Sequence, residues 1–170
     1  MLEIKNKAQV FRQMDDWLAA VEAEIVAVAK GMAREALAVL LENSPQYSGD
    51  FAANWNISIG EKDVSFQPLL FGDDKAFPSK DPFIAGDAPA ISYALAHNAG
   101  RLDGFQLGQT IWITNAAAHD QDYAWMIENN LIKFRDGNAG EPVFHALQHL
   151  QIRYGTIDKS RAQQLTGGLT

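Results

Sequence analysis

Three side chains near the C-terminus are spaced as metal chemistry would require. Glu141, His145 and His149 recur at every fourth position, so on a helix they share one face and present a carboxylate and two imidazoles to a divalent metal. An ordinary solvated or partly packed polar face has the same spacing, and the chain offers neither a matched carboxylate elsewhere nor a nearby general base. The polar face is the expectation, with no metal and no other cofactor. His119, Asp120 and Asp122 form a second cluster, of residue types suited to acid/base work. Where a helix begins, however, carboxylates are favourable simply because they meet the positive end of its dipole. No catalytic residue is assigned, and the chain reads as a non-enzyme.

What the chain lacks excludes most other chemistry. It contains no GxxxxGK[ST] phosphate loop, no GxGxxG after a strand, no GxSxG and no HExxH. Without cysteine there is no disulfide framework, no thiol nucleophile and no Cys-ligated zinc. A net charge of −7 with no Lys/Arg cluster argues against a protein that grips nucleic acid, but not against one that merely surrounds it. Trp17, Trp55, Trp112 and Trp125 read as core or interface residues, because a base-stacking platform needs interleaved basic side chains. With 170 residues, 47% of them hydrophobic and 21% charged, one globular domain is expected. No window has the roughly 18 apolar residues of a membrane span, and the start, MLEIKNKAQ, lacks a signal-peptide pattern. A soluble protein made in a cytoplasm, without membrane contact, is expected.

The elements that position these residues are legible in the hydrophobic pattern. From about Lys7 to Asn43, residues Val10, Met14, Trp17, Leu18, Val21, Ile25, Val28, Met32 and Val39 follow spacings of three and four, which predicts one long amphipathic helix. At about 1.5 Å per residue it reaches roughly 50 Å, more than a small domain needs. Gly31 is its one weak point, where a break is allowed for. Glu22, Glu24, Lys30, Arg34 and Glu35 make the outer face. The rhythm admits a coiled coil, but irregular flanking charges and frequent alanine favour a helix lying across a sheet. Its excess length suits packing on a neighbouring subunit.

The stretch SPQYSGDFAANWNISIG, residues 44–60, supplies a helix stop at Pro45, a turn at Gly49 and a strand from Phe51. Phe51, Ala53, Trp55, Ile57 and Ile59 alternate with Ala52, Asn54, Asn56 and Ser58, giving one apolar and one wet or hydrogen-bonded face. Val64, Phe66 and Leu69 predict a second strand returning as a hairpin. The segment 68–90 holds four of the six prolines and the phenylalanines Phe71, Phe77 and Phe83. It reads either as an excursion patching its own core or, the favoured reading, as an arm docking on a partner protein. A short helix over 90–99 with Ile91, Ala94 and Leu95 on one face, a β-branched strand over 109–115 and a short helix over 120–130 follow. A last helix over 141–154 is expected to bury Val143, Phe144, Leu147 and Leu150. The strands of Trp55 and Trp112 should bring those two side chains together in one sheet. The expected fold class is α+β: a long N-terminal helix packed across a small antiparallel sheet, with short helices and a C-terminal helix. One domain spans 1–157 and a polar tail 158–170.

Two motifs in this order carry a resemblance. The first is Ser44, Pro45, Tyr47, Ser48, Gly49 and Asp50, followed by a strand with Trp55; the second is the Trp112 strand ending at Asn115, then Tyr123, Ala124 and Glu128. This arrangement resembles the tail-completion or head-to-tail joining (neck) proteins of long-tailed bacteriophages. It departs from that family's pattern at Asp122, where a proline is expected, in the longer step from Asn115 to Tyr123, and after Glu128, where Asn129 and Asn130 replace a glycine. The 68–90 segment is an enlargement.

The resemblance implies a non-enzymatic virion protein at the neck or tail junction, assembled in the host cytoplasm. It implies a homo-oligomeric ring of roughly six copies, a hexamer, touching connector or stopper, tail terminator and tail tube proteins, with DNA in the lumen unread by sequence. An acidic protein suits such a passage, since DNA should not be held tightly there. Alternatives are a tail terminator or minor tail protein and, from another class, a small acidic protein-binding module.

Overall fold

The structure, a computed structural model, describes residues 6–44, 49–67, 89–129 and 141–155. The three-and-four rhythm folds as α1 (Lys7–Glu42), an unbroken helix of 36 residues. Gly31 does not interrupt it; a Cβ there would lie 3.9 Å from the Tyr154 hydroxyl, so the glycine sits beneath the last helix. Only the final turns are covered. Ala33, Ala36, Leu37, Leu40 and Leu41 are buried, whereas Val10, Phe11, Met14, Trp17, Leu18, Ile25 and Val28 are 45–65% exposed. The helix therefore lies on the sheet by its C-terminal end and overhangs with the rest.

The strand begins later than its alternation predicts. Gly49, at φ 81, turns the chain into α2 (Asp50–Ala53), a single helical turn closed by Ala53 N–H to Gly49 O and Asn54 N–H to Asp50 O at 2.8 and 3.1 Å. All four residues of that turn are buried, so Phe51 and Ala53 alternate with nothing exposed. Period-two spacing without a wet face does not separate a strand from a buried turn. β1 (Trp55–Ile59) follows, and pairs antiparallel with β2 (Ile111–Asn115) in register Trp55↔Asn115 to Ile59↔Ile111. Trp112 stands opposite Ser58, three rungs from Trp55 and, by strand alternation, on the other face. The two tryptophans share the sheet without meeting.

The hairpin partner expected at Val64 and Phe66 is not a strand among the described residues. Its place at the outer edge of β1 is taken by side chains. Asn98 Oδ1 accepts the Ile57 N–H at 2.7 Å, Asn98 Nδ2 donates to Trp55 O at 2.8 Å, and Arg101 reaches Ile57 O at 3.4 Å. One amide thus satisfies a donor and an acceptor that a third strand would have taken. Residues 61–67 instead run antiparallel to β1 against its polar side chains. Asn54 exchanges bonds with the Gln67 backbone at 2.9 and 3.1 Å, Asn56 donates to Asp63 O and Ser65 O, and Ser58 donates to Glu61 O at 2.6 Å. The polar face is hydrogen-bonded rather than wet, with Asn54 and Asn56 each 3% exposed.

The remaining elements frame the sheet. α3 (Pro89–Asn98) buries Ala90 and Ala94 but leaves Leu95 45% exposed, against expectation. A 3₁₀ turn (Ala117–His119) leads into α4 (Gln121–Glu128), and α5 (Glu141–Tyr154) packs along α1. The predicted apolar face of α5 is corrected. Val143, Phe144 and Leu147 are 44%, 63% and 62% exposed, while Pro142 and Ala146 are buried. Small residues let α5 approach α1 closely, and the larger ones are turned outward. The fold is α+β, a long N-terminal helix with a C-terminal helix, a two-stranded antiparallel sheet and short helices.

Candidate functional site: the polar clusters and the exposed helix faces

The titratable groups that gather most closely are ones the sequence did not mark. Asp63 pairs with Arg101 and receives hydrogen bonds from the Ser65 hydroxyl and N–H. Partial burial alone would raise its carboxyl, but these hydrogen bonds and the guanidinium together bring it from 3.8 down to about 2. Arg101 also meets His97 Nε2 at 2.6 Å. Because a guanidinium only donates, that nitrogen accepts and the ring proton sits on Nδ1. Burial, then the Arg101 charge, lower the His97 pKa, with Asp63 opposing. His97 stacks on Tyr93 at 5.6 Å, and the Tyr93 hydroxyl donates to Gln67 Oε1 at 3.0 Å.

A perturbed carboxylate, a neutral imidazole and an arginine are residue types of an active site. The space beside them, bounded by Asn54, Asn56, Gln67, Tyr93 and His97, leaves no room even for a water-sized sphere. Ligand pockets run from about 300 Å³ upward. The cluster is a clasp binding the 61–67 segment to α3, and nothing of substrate size fits it.

A second gathering joins α5 to α1. Glu35 accepts the Tyr154 hydroxyl at 3.0 Å and meets Arg153 at 3.2 Å and His149 at 3.6 Å. Desolvation, then the hydrogen bond and charge of Glu35, raise the Tyr154 phenol above its ordinary value. The sequence cluster on α5 therefore separates. His149 turns to Glu35, His145 stands edge-on to Phe144 at 5.9 Å, and the Glu141 side chain lies outside the described residues. Among the described residues no group of three His, Cys, Asp or Glu side chains is placed to hold a metal. Asp120 Oδ1 accepts the Asp122 N–H at 3.0 Å, the geometry of a helix N-cap, while His119 and Asp122 are exposed.

The motif residues are structural where they are described. Gly49 is buried at its turn and Asp50 is 0% exposed. Trp55 Nε1 donates to Ser44 Oγ at 2.8 Å, Ser44 Oγ donates to Leu40 O at 2.6 Å, and the Trp55 ring meets Phe51 edge-on at 6.2 Å. Asn115 donates to Phe51 O and accepts the Ala117 N–H at 2.8 and 3.0 Å, tying β2 to α2. Trp112 Nε1 donates to Gly60 O at 2.8 Å beneath the Lys62 ammonium, and Glu128 is exposed at the end of α4. Pro45, Tyr47, Ser48 and the arm residues Phe71, Phe77 and Phe83 lie outside the described residues, as does the Tyr123 side chain.

No family model, curated protein or solved structure matches this chain. The neck resemblance rests on the quoted motifs alone. Among the described residues, no helix is long and apolar enough to cross a membrane. Two apolar surfaces stand exposed: the N-terminal part of α1, and the outward side of α5 with Phe144, Leu147 and Ile152, the last 79% exposed.

Proposed function

We propose that this chain is a structural protein of the bacteriophage neck, which assembles as a ring, completes the tail and joins it to the head. The observation that carries the reading is the exposed apolar length of α1. A helix with Phe11, Met14, Trp17, Leu18, Ile25 and Val28 about half exposed is built for burial against protein. The described titratable clusters act as clasps between elements, which suits a scaffold. A charge of −7 suits a passage that DNA crosses without being held. Connector or stopper, tail terminator and tail tube proteins are the proposed neighbours, and the neck of the virion the proposed location.

Negative-stain images of the purified chain, alone and with tail and connector proteins, test this directly. Rings, and labelling of the chain at the neck of intact virions, are expected. A protein that stays monomeric with those partners present sinks the reading.

A further inference from the structure

The bare part of α1 has a finer pattern than general amphipathicity. Phe11, Met14, Leu18, Val21, Ile25, Val28 and Met32 follow strict alternating steps of three and four, placing Phe11, Leu18, Ile25 and Met32 at a and Met14, Val21 and Val28 at d of a heptad. The next d position is Glu35, where α5 takes over the seam through His149, Arg153 and Tyr154. α5 ends at Tyr154, level with Gly31, and Gly155 at φ 77 terminates it. Among the described residues, this helix face is thus covered by α5 at its C-terminal end and open ahead of it. The turn over 105–108 approaches α1 along Ala19, Glu22, Ala23 and Val26, the b, e and f positions on one side of the seam.

Among the described residues nothing covers that seam, although helix stability in proteins comes mainly from packing and this helix begins without a side-chain cap at Asn6. The chain's own tail is a poor candidate. Its sequence, DKSRAQQLTGGLT, has no apolar residues at helical spacing to match. A second copy is a good one, since a and d positions are self-complementary. About 80 Å² from each of seven half-exposed apolar residues on both helices, Phe11, Met14, Leu18, Ile25 and Val28 on the seam with Val10 and Trp17 at its g edge, gives roughly 1,000 Å², about the least that a specific interface buries.

Charge sets the direction. Asp15 and Glu22 occupy e, while Val10, Trp17 and Glu24 occupy g. In a parallel pair each g meets the e five residues on, giving Val10–Asp15, Trp17–Glu22 and Glu24–Ala29, with no like charges opposed. An antiparallel pair would set Asp15 against Glu22 at both ends. Valines at d and apolar residues at g also widen the seam beyond what two helices cover, which favours three or more strands.

We infer that the α1 overhangs of three or more copies of this chain pack in parallel through the seam from Phe11 to Val28. The inference rests on self-association, the oligomeric part of the proposed function, and names one contact surface for it; a bundle closed on this seam has an axis filled by side chains, so it stands apart from the lumen of the proposed ring. Sedimentation of the full chain tests it, with wild type expected as an assembly. The double substitution Leu18→Glu, Ile25→Glu is expected to shift it fully to monomer while leaving the thermal unfolding of the domain in place. The chain has no cysteine, so Val21→Cys introduces a unique thiol; oxidation is expected to cross-link it, whereas Ala27→Cys, off the seam, stays uncross-linked. A monomeric wild type overturns the inference. So does an assembly that survives the double substitution, although the ring reading then stands and needs another contact. Cross-linking of Met14→Cys only to Ile25→Cys overturns the parallel arrangement.

Discussion

The two ends of α1 carry apolar stripes on different sides of the helix, Leu37, Leu40 and Leu41 falling at f, b and c of the heptad that runs from Phe11 to Met32, and they meet opposite surroundings. At the C-terminal end Leu37, Leu40 and Leu41 are at most 4% exposed, pressed on the sheet and flanked by α5. Ahead of Gly31, Leu18, Ile25 and Val28 are 46–48% exposed. Amphipathicity specifies that a helix has a face to bury, and leaves open what buries it. Where the described residues supply the cover, the face becomes core; where they do not, it stays exposed.

The sharpest way to break this comparison is to truncate one leucine at each end. Leu41→Ala is expected to lose about 3 kcal/mol of unfolding free energy, the cost of a buried cavity, whereas Leu18→Ala should change the domain's stability by no more than about 0.5 kcal/mol. Urea titrations of both variants below the assembly concentration decide it. Equal losses would mean that the overhang is packed after all.

The C-terminal end depends on a sheet whose edge is closed by one amide. Asn98→Ala would strip partners from the buried Ile57 N–H and Trp55 C=O, and a loss of about 2 kcal/mol is expected. Hydrogen exchange at the Ile57 amide should speed up in the same variant. An unchanged rate would show that water or another group serves that edge.

Acid should act on the same end. The lowered Asp63 carboxyl stabilises the fold above its unfolded value near 3.8, and that contribution is lost as pH falls toward about 2. His97, also lowered, contributes in the same direction from a higher starting point. Its stabilisation is complete above about 6.5 and declines as pH falls through the lowered value. Melting curves from pH 7 to 2 should therefore fall in two stages. In Asp63→Asn the lower stage should shrink, by about 1 kcal/mol after allowance for solvent screening of a partly exposed pair.

The smallest effect falls at the boundary between the two ends. Gly31→Ala places a methyl in ordinary contact with the Tyr154 hydroxyl and removes a helix-interior glycine, so a gain of up to about 1 kcal/mol is expected. A loss would show that the close approach of α5 to α1 needs the missing side chain.

Much of the secondary structure was readable from residue pattern, because it is local. α5 spans the predicted 141–154, α1 the predicted periodic run, and β2 the β-branched IWITN. Burial was less readable. Val143, Phe144 and Leu147 make a good apolar face on α5, yet the helix packs through Pro142 and Ala146, since closeness to α1 rewards small residues. The polar clasps were not readable at all. Asp63 and Arg101 are 38 residues apart, and Glu35 and Tyr154 are 119 apart. A carboxylate at either place is indistinguishable, in sequence, from one on a solvated face.

By itself, then, the sequence determined the long helix α1, the strand β2, the last helix α5 and the absence of cysteine chemistry. Helical spacing, β-branched runs and the absence of cysteine are properties of neighbouring residues or of composition. Only the tertiary structure decided what satisfies each face and edge. The expected third strand became a segment held by Asn54, Asn56 and Ser58, because Asn98, 41 residues from Ile57, supplies the donor and acceptor that an edge demands. A backbone edge accepts any partner of the right geometry, and geometry between distant residues exists only once the chain has folded.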